Sequence, residues 1–256
     1  MTAESNVDIQ IAHGVLHLAF ARPAKKNALT RAMYAALSDA LEAGRDDKAV
    51  RAVLFSGRGD AFTAGNDIMD FASSGGDVKD VTRFLELLVT YPKPIVAAVH
   101  GAAVGIGTTM LFHCDLAYAG ESARFKTPFV DLGLVPEAAS SLLFPRSLGA
   151  VRASQMLLLG EVIDAPTAER WGMVNAVVPD TELLELAMSK AKHLATRAPQ
   201  AMRQAKALIQ TNTREAMIAA MHREGAIFKE RLTSKEAQEA MMAFMQKRAP
   251  DFSKFE

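Results

Sequence analysis

The chain has 256 residues, of which 50% are hydrophobic and 23% are charged, and 29 basic residues balance 29 acidic ones. This length can bury one substantial core, and the zero net charge argues against a nucleic-acid or anionic-membrane partner. The single cysteine excludes an internal disulfide, and no apolar run is long enough for a membrane span. Because the polar N-terminus lacks a hydrophobic signal segment, we expect a soluble cytoplasmic protein.

The first half of the chain predicts strands that alternate with helices. Apolar and polar residues alternate around a His-Gly turn, which predicts a β-hairpin over 7–20. The other elements expected here are a helix from Thr30 to about 43, a strand over 50–55, a turn over 61–67, a polar loop over 73–77, an amphipathic helix over 78–89 and a strand over 95–99. The strand over 95–99 is apolar throughout, which indicates burial on both faces.

The second half predicts two more strands and then mostly helices. A turn over 101–107 opens a helix towards residue 112, and strands are expected over 115–119 and 123–125. The helices expected after residue 146 cover 150–159, 165–171, 181–197, 200–209 and 212–247, with a strand-like segment over 174–178 between them. The sequence therefore indicates an α/β fold with a helical C-terminal region.

Two of the expected turns carry glycines and follow apolar strands. They are 62–67 (Phe-Thr-Ala-Gly-Asn-Asp) and 101–107 (Gly-Ala-Ala-Val-Gly-Ile-Gly). The second turn lacks the third glycine of a dinucleotide-binding motif, and a tight turn chosen for packing explains each motif alone. As a pair, however, such turns can aim two backbone N–H groups at one oxygen, which is the geometry of an oxyanion hole.

Glu137 is a lone carboxylate behind Pro136, at the expected start of an apolar helix. One interpretation is purely structural, since an acid in the first helical turn complements the helix dipole. The other is a general base, whose pKa would be raised by burial and lowered by the helix terminus. The six histidines show no paired metal spacing and no Gly-x-Ser-x-Gly elbow occurs, so we predict no metal site and no serine-hydrolase chemistry.

The chain resembles the crotonase (enoyl-CoA hydratase/isomerase) superfamily over nearly its whole length. The segments that match in order and spacing are 22–29 (RPAKKNAL), 61–68 (AFTAGNDI), 93–101 (KPIVAAVHG), 114–119 (CDLAYA) and 244–252 (FMQKRAPDF). The resemblance implies a spiral of ββα units over residues 1–195 and a helical region over 196–256 that builds trimers or hexamers. It also implies an acyl-CoA thioester as ligand, with coenzyme A as part of the substrate and no separate cofactor.

The resemblance also implies roles for individual residues. The backbone N–H groups of Asn66 and Ile106 match the oxyanion donors, although the family usually has glycine where Ile106 stands. The positions that match contacts to the adenine, pantetheine and nucleotide of coenzyme A are Lys25, Ala28, Ala64, Ile68 and, near the C-terminus, Lys247.

Departures from the family pattern decide the expected reaction. Hydratases of this family hold a water molecule between two glutamates, but Thr109 and Phe129 stand at those positions here. Phe129 would line the substrate site, and it can neither accept a proton nor orient water. Glu137 matches the single glutamate of the peroxisomal-type Δ3,Δ2-enoyl-CoA isomerases. We therefore predict an isomerase that shifts a 3-enoyl-CoA double bond to 2-enoyl-CoA by a single-glutamate proton shuttle.

Three alternatives stay open. Another isomerisation, such as ring expansion of an epoxide-CoA, would use the same thioester site. A degenerate hydratase would need Asp131 or Glu137 in a role that the resemblance does not assign. A non-catalytic CoA-binding or scaffold protein would keep only the fold; an RNA-binding version is disfavoured because the net charge is zero and no basic stripe is expected.

Overall fold

The computed structural model describes residues 6–72 and 78–255, without the side chain of Ala72, so the loop expected over 73–77 lies outside the described residues. The strands are β1 (Val7–Ala12), β2 (Val15–Phe20), β3 (Ala52–Gly57), β4 (Ala61–Thr63), β5 (Ile95–Val99), β6 (Ala102–Val104), β7 (Leu116–Gly120), β8 (Arg124–Lys126), β9 (Ile163–Asp164) and β10 (Ala176–Val178). The α-helices are α1 (Arg31–Asp46), α2 (Ile68–Ala72), α3 (Lys79–Thr90), α4 (Ile106–Thr109), α5 (Ser140–Leu148), α6 (Ala150–Leu157), α7 (Ala165–Arg170), α8 (Asp180–Ala195), α9 (Pro199–Gln210), α10 (Arg214–Leu232) and α11 (Lys235–Met245). Short 3-10 helices span Pro23–Lys25, Met110–His113 and Val130–Leu132.

The strands form two mixed sheets. The larger sheet has the order β1-β2-β3-β5-β7-β10 and is parallel except for the β1–β2 hairpin. The smaller sheet has the order β4-β6-β8-β9 and is parallel except for the β8–β9 pair. In each of the pairs β3–β4, β5–β6 and β7–β8, the first strand belongs to the larger sheet and the second to the smaller. The predicted repeat of two strands followed by a helix is therefore confirmed.

The larger sheet is covered on both faces. On one face, the buried residues of α8 recur every four positions from Leu183 to Ala195 and pack against β2, β3, β5 and β7. On the other face, Tyr34 and Phe55 each meet Phe84 edge to face, with ring centroids 5.4 and 6.1 Å apart. All five residues of β5 are buried, as its apolar run predicts.

Glu137 lies outside the helix that the sequence predicts for it. Helix α5 begins only at Ser140, because Ala138 and Ala139 each have a φ of 57°, in the left-handed region. This conformation costs an L-residue about 1–2 kcal/mol, and it interrupts the right-handed helical path. The interpretation of Glu137 as an acid in the first helical turn is therefore wrong.

The C-terminal part also differs from the expected pattern. The single stretch expected over 212–247 consists of α10 and α11, because the chain leaves the helix after Leu232 and the hydroxyl of Ser234 accepts from Ala237 N to cap α11. The strand expected over 174–178 is shortened to β10. Strands β4 and β6 occupy the first part of the two stretches expected to be turns, and α2 and β9 were not predicted either. The structure describes one chain, so the division at 195/196 and the trimer or hexamer stay predictions. Among the described residues, no helix is long and apolar enough to cross a membrane.

Candidate active site

Strands β4 and β6 bring the two glycine-bearing turns to one edge of the smaller sheet. The strands are parallel, with Thr63 paired to Ala103, and therefore end at the same edge. Asn66 and Ile106 each follow three residues after that pair. The two segments that carry them therefore leave the sheet side by side.

Glycines allow close contact between these turns. A Cβ atom on Gly65 would lie 2.9 Å from the carbonyl oxygen of Val104, and one on Gly107 would lie 2.6 Å from Cγ2 of Thr63. Gly65 also has a φ of +88°, which residues with a Cβ rarely adopt. A side chain at Gly65 would thus force the two turns apart.

The N–H groups of Asn66 and Ile106 have no hydrogen-bond acceptor in the described part of the chain. Leu29 bridges the neighbours of Asn66 instead. Leu29 N donates to Gly65 O and Asp67 N donates to Leu29 O, each at 2.8 Å. Ile106 is the first residue of α4, and an N–H in a first helical turn has no acceptor within the helix. Neither N–H group is therefore used by a hydrogen bond within the described residues.

Glu137 is buried, with 8% of its surface exposed. Its Oε1 atom accepts a hydrogen bond of 2.6 Å from the hydroxyl of Thr109, the last residue of α4. Burial is the main reason that the pKa of Glu137 is raised to about 7; the Thr109 hydrogen bond opposes this rise, and the negative charge of Glu224 adds to it. A carboxyl group with such a pKa can both accept and release a proton near neutral pH.

Tyr34 connects helix α1 to the turn that carries Asn66. Its hydroxyl donates to Oδ1 of Asn66 at 2.5 Å, across 32 residues of sequence. Burial, and after it the charge of Glu137, raises the pKa of Tyr34 well above its usual value, so the hydroxyl stays protonated. Tyr34 was not predicted as a site residue from the sequence, and Thr109 was recognised only as the replacement of a hydratase glutamate. A buried residue of an amphipathic helix carries no sequence signal for such a distant partner.

Four of the residues predicted to hold coenzyme A lie on two adjacent segments. Ala64 N donates to Lys26 O, and Leu29 N donates to Gly65 O, both at 2.8 Å. These bonds join 25–29 to 64–68. The two segments carry Lys25, which is exposed, and the half-buried residues Ala28, Ala64 and Ile68.

The other two predicted contact residues lie elsewhere. Phe129 is buried in the main core, just before the 3-10 helix Val130–Leu132. Lys247 follows α11 and is exposed, and within the described ranges no hydrogen bond or ion pair joins it to the 25–29 and 64–68 segments. Over the same ranges, no group of three or more His, Cys, Asp or Glu side chains could hold a metal ion.

Comparison with known proteins identifies the family. The protein family described as "Enoyl-CoA hydratase/isomerase" matches residues 10–254 of the chain. Enoyl-CoA delta isomerase 2 of Rattus norvegicus is 36% identical over 241 residues, which are 91% of this chain and 61% of the rat protein. The chain therefore spans less than two thirds of that relative. The 2,3-dehydroadipyl-CoA hydratase of Escherichia coli is 35% identical over 243 residues, 93% of this chain and 94% of that protein.

A solved structure agrees in fold. The crystal structure of an enoyl-CoA hydratase/isomerase from Pseudoalteromonas atlantica T6c has 45% sequence identity and a TM-score of 0.93, and the match covers 96% of this chain and 99% of that chain. It confirms the predicted crotonase fold of ββα units followed by C-terminal helices. Because both an isomerase and a hydratase are similar at about the same identity, identity alone does not separate the two reactions. With the family match over nearly its full length and this agreement in fold, the chain belongs to the enoyl-CoA hydratase/isomerase (crotonase) family.

Proposed function

We propose that this protein is an isomerase that converts a 3-enoyl-CoA thioester to its 2-enoyl-CoA isomer. The observation that carries the proposal is the buried carboxyl of Glu137, which accepts a 2.6 Å hydrogen bond from Thr109 and has a pKa of about 7. A base whose pKa lies near the working pH can take up a proton and return it. The similarity to enoyl-CoA delta isomerase 2 of the rat supports the same reaction.

In the proposed reaction, the thioester oxygen binds to the N–H groups of Asn66 and Ile106. Glu137 removes a proton from C2, and the electron pair of the C2–H bond moves into a dienolate whose negative charge collects on the thioester oxygen. Glu137 then gives that proton to C4, which leaves the double bond between C2 and C3. An oxyanion donor of this kind typically stabilises the transition state by about 2.7–4 kcal/mol.

Hydration of the double bond would need a second group to hold and activate water. The carboxylate of Glu224 influences the pKa of Glu137, but its two oxygens already accept backbone N–H groups from the 139–141 segment at 2.6 and 2.8 Å. Asp131 forms an ion pair of 3.1 Å with Lys126 and is exposed. A reaction with one carboxylate therefore suits these side chains better than a reaction with two.

The test compares the wild type with Glu137→Gln. The amide keeps the size of the side chain and can still accept from Thr109, but it cannot take up a proton. With 3-hexenoyl-CoA, the variant should lose about 10²–10⁴-fold in rate, while calorimetry should show similar affinity for hexanoyl-CoA. Asp131→Asn is the matched control and should keep wild-type turnover. Full turnover by E137Q, or hydration of crotonyl-CoA by the wild type at a rate above isomerisation, would contradict the proposal.

A further inference from the structure

The two residues that follow Glu137 have an unfavourable backbone conformation. Ala138 and Ala139 both lie in the left-handed region, which glycine adopts easily and alanine does not. Two successive residues of this kind persist only where surrounding groups fix them, and such strain often occurs at functional sites. The groups that fix this pair therefore also fix the direction in which Glu137 enters the site.

His113 binds the first of these residues. Its Nε2 atom lies 2.8 Å from the carbonyl oxygen of Ala138. Burial lowers the pKa of His113 to about 4, so the ring is neutral near pH 7. A carbonyl oxygen can only accept, and Nε2 must therefore carry the single ring hydrogen. His113 ends the 3-10 helix that directly follows Thr109, so one continuous segment contacts both the Glu137 carboxyl and the carbonyl group of Ala138.

Glu224 binds the second residue and the start of α5. One of its carboxylate oxygens accepts from Ala139 N at 2.6 Å and the other accepts from Ser141 N at 2.8 Å. Only 6% of Glu224 is exposed; burial raises the pKa of its carboxyl group, and the hydrogen bonds from Ser141 and Ala139 oppose this rise by stabilising the ionised form. It belongs to the face of α10 that also buries Met217, Ala220 and Met221.

We propose that Glu224 is a positioning residue for Glu137, acting through the left-handed pair that it fixes together with His113. This inference rests on the proposed role of Glu137 as the base. It gives the C-terminal region a part in the site of its own chain, in addition to the oligomerisation that the family resemblance implies. Glu224 of α10, which is 85 residues from Ala139 in sequence, would thus complete the catalytic geometry.

The proposal has a consequence for pH dependence. The charged and titratable groups that act on Glu137 are Glu224 from α10 and Tyr34 from α1, of which Tyr34 stays neutral. His113, behind the 138–139 pair, is also neutral near pH 7, because burial lowers its pKa and the positive charge of Lys206 lowers it further. Burial raises the pKa of Glu224, and the positive charge of Arg223 opposes this rise. Replacing Glu224 by a neutral residue removes a negative charge that raises the pKa of Glu137. The pKa of Glu137 should then fall, and the ionised base should persist to lower pH.

The experiment compares Glu224→Gln with Glu239→Gln. Glu239 is a matched control: it is another buried glutamate of a C-terminal helix, and it accepts from Asp251 N at 2.9 Å and from Arg248 at 2.5 Å. We expect E224Q to lower kcat for 3-hexenoyl-CoA by about tenfold to a hundredfold with KM nearly unchanged, and to move the acid limb of kcat/KM to lower pH. E239Q should reduce thermal stability but leave the position of that limb as in the wild type.

A second readout separates this inference from the proposed function. Infrared difference spectra against E137Q identify the protonated Glu137 carboxyl, so its titration can be followed without substrate. If the wild type shows no isomerase activity but this titration moves to lower pH in E224Q, the proposed function fails and the electrostatic link to Glu224 stands. If the wild type is active and folded E224Q keeps both its kcat and its titration midpoint, the role of Glu224 is overturned.

If E224Q does not fold, Glu224→Asp is the variant to measure. Aspartate keeps the charge but is one methylene shorter, so it cannot reach both N–H groups from the same backbone position. We expect a folded protein with a reduced kcat and a Glu137 titration midpoint close to that of the wild type. A wild-type kcat in E224D would show that the position of this carboxylate is irrelevant to turnover, which would overturn the proposal.

Discussion

The hydroxyl of Thr109 donates a 2.6 Å hydrogen bond to Oε1 of Glu137. Thr109 stands where the family resemblance expects one of the two hydratase glutamates. Thr109, which replaces one hydratase carboxylate, therefore donates a hydrogen bond to the carboxylate of Glu137. Because the hydroxyl stabilises the ionised form, it lowers the pKa of Glu137, against the effect of burial.

Thr109→Val should raise the pH above which Glu137 is ionised and can act as a base. The substitution keeps the shape of the side chain and removes the donor, so the pKa of Glu137 rises further above its usual range. A hydrogen bond to a charged group contributes about 1.5–3 kcal/mol, so the acid limb of kcat/KM should move up by about one pH unit or more. Thr109→Ser keeps a hydroxyl and should retain the wild-type limb. An unchanged limb in T109V would show that this hydrogen bond does not tune the base.

Ile106→Pro tests the backbone donor directly. Ile106 is the first residue of α4, a position where proline is tolerated because its missing N–H has no acceptor within the helix. Removal of one oxyanion donor should lower kcat by about 10²–10³-fold. Ile106→Ala keeps the N–H and changes only the side chain, so its kcat should stay much closer to that of the wild type. Equal kcat values in folded I106P and I106A would refute the assignment of this donor.

Tyr34→Phe should weaken the turn that carries Asn66. The change leaves Oδ1 of Asn66 without the hydroxyl that donates to it at 2.5 Å. An unsatisfied buried acceptor costs about 1–3 kcal/mol, and Asn66 is partly buried, so urea denaturation should give a free energy of unfolding that is lower by an amount near the lower end of that range. Because the pKa of Tyr34 is well above its usual value, the loss should be similar in mildly acidic and mildly alkaline buffer. A stability equal to that of the wild type would contradict this link.

Glu137 should make the wild type less stable as pH rises. The pKa of Glu137 is about 7 in the folded chain, against 4.5 without perturbation. Below the lower value, the carboxyl is protonated in both states; between the two values, only the unfolded chain loses the proton, so the free energy of unfolding falls with rising pH. Above the higher value, this loss reaches its full size of up to about 3 kcal/mol.

Glu137→Gln should therefore be more stable than the wild type in mildly alkaline buffer, and the difference should shrink as the pH approaches the unperturbed value. Urea denaturation at matched protein concentrations measures both quantities, since association would also change stability. A difference between the two proteins that does not vary with pH would contradict the raised pKa.

The sequence was sufficient for the features that depend on neighbours along the chain. The apolar run of β5 predicted burial on both faces, and the glycines at 65 and 107 marked turns that the structure brings into contact. It was not sufficient for the surroundings of Glu137. The start of α5 depends on the left-handed pair at 138–139, and that pair depends on Glu224, 85 residues from Ala139. Patterns of local sequence carry no record of bonds across such separations.

The transfer of a hydrogen within the substrate tests the central claim most directly. The substrate would be 3-hexenoyl-CoA in which both hydrogens on C2 are replaced by deuterium. It would be converted in ordinary water under single-turnover conditions, and the product would be analysed by mass spectrometry and NMR. Glu137 is buried, so a deuteron that it takes from C2 is shielded from solvent exchange during the reaction. The single-glutamate shuttle predicts deuterium at C4 of the 2-hexenoyl product. A product without deuterium at C4 would contradict it.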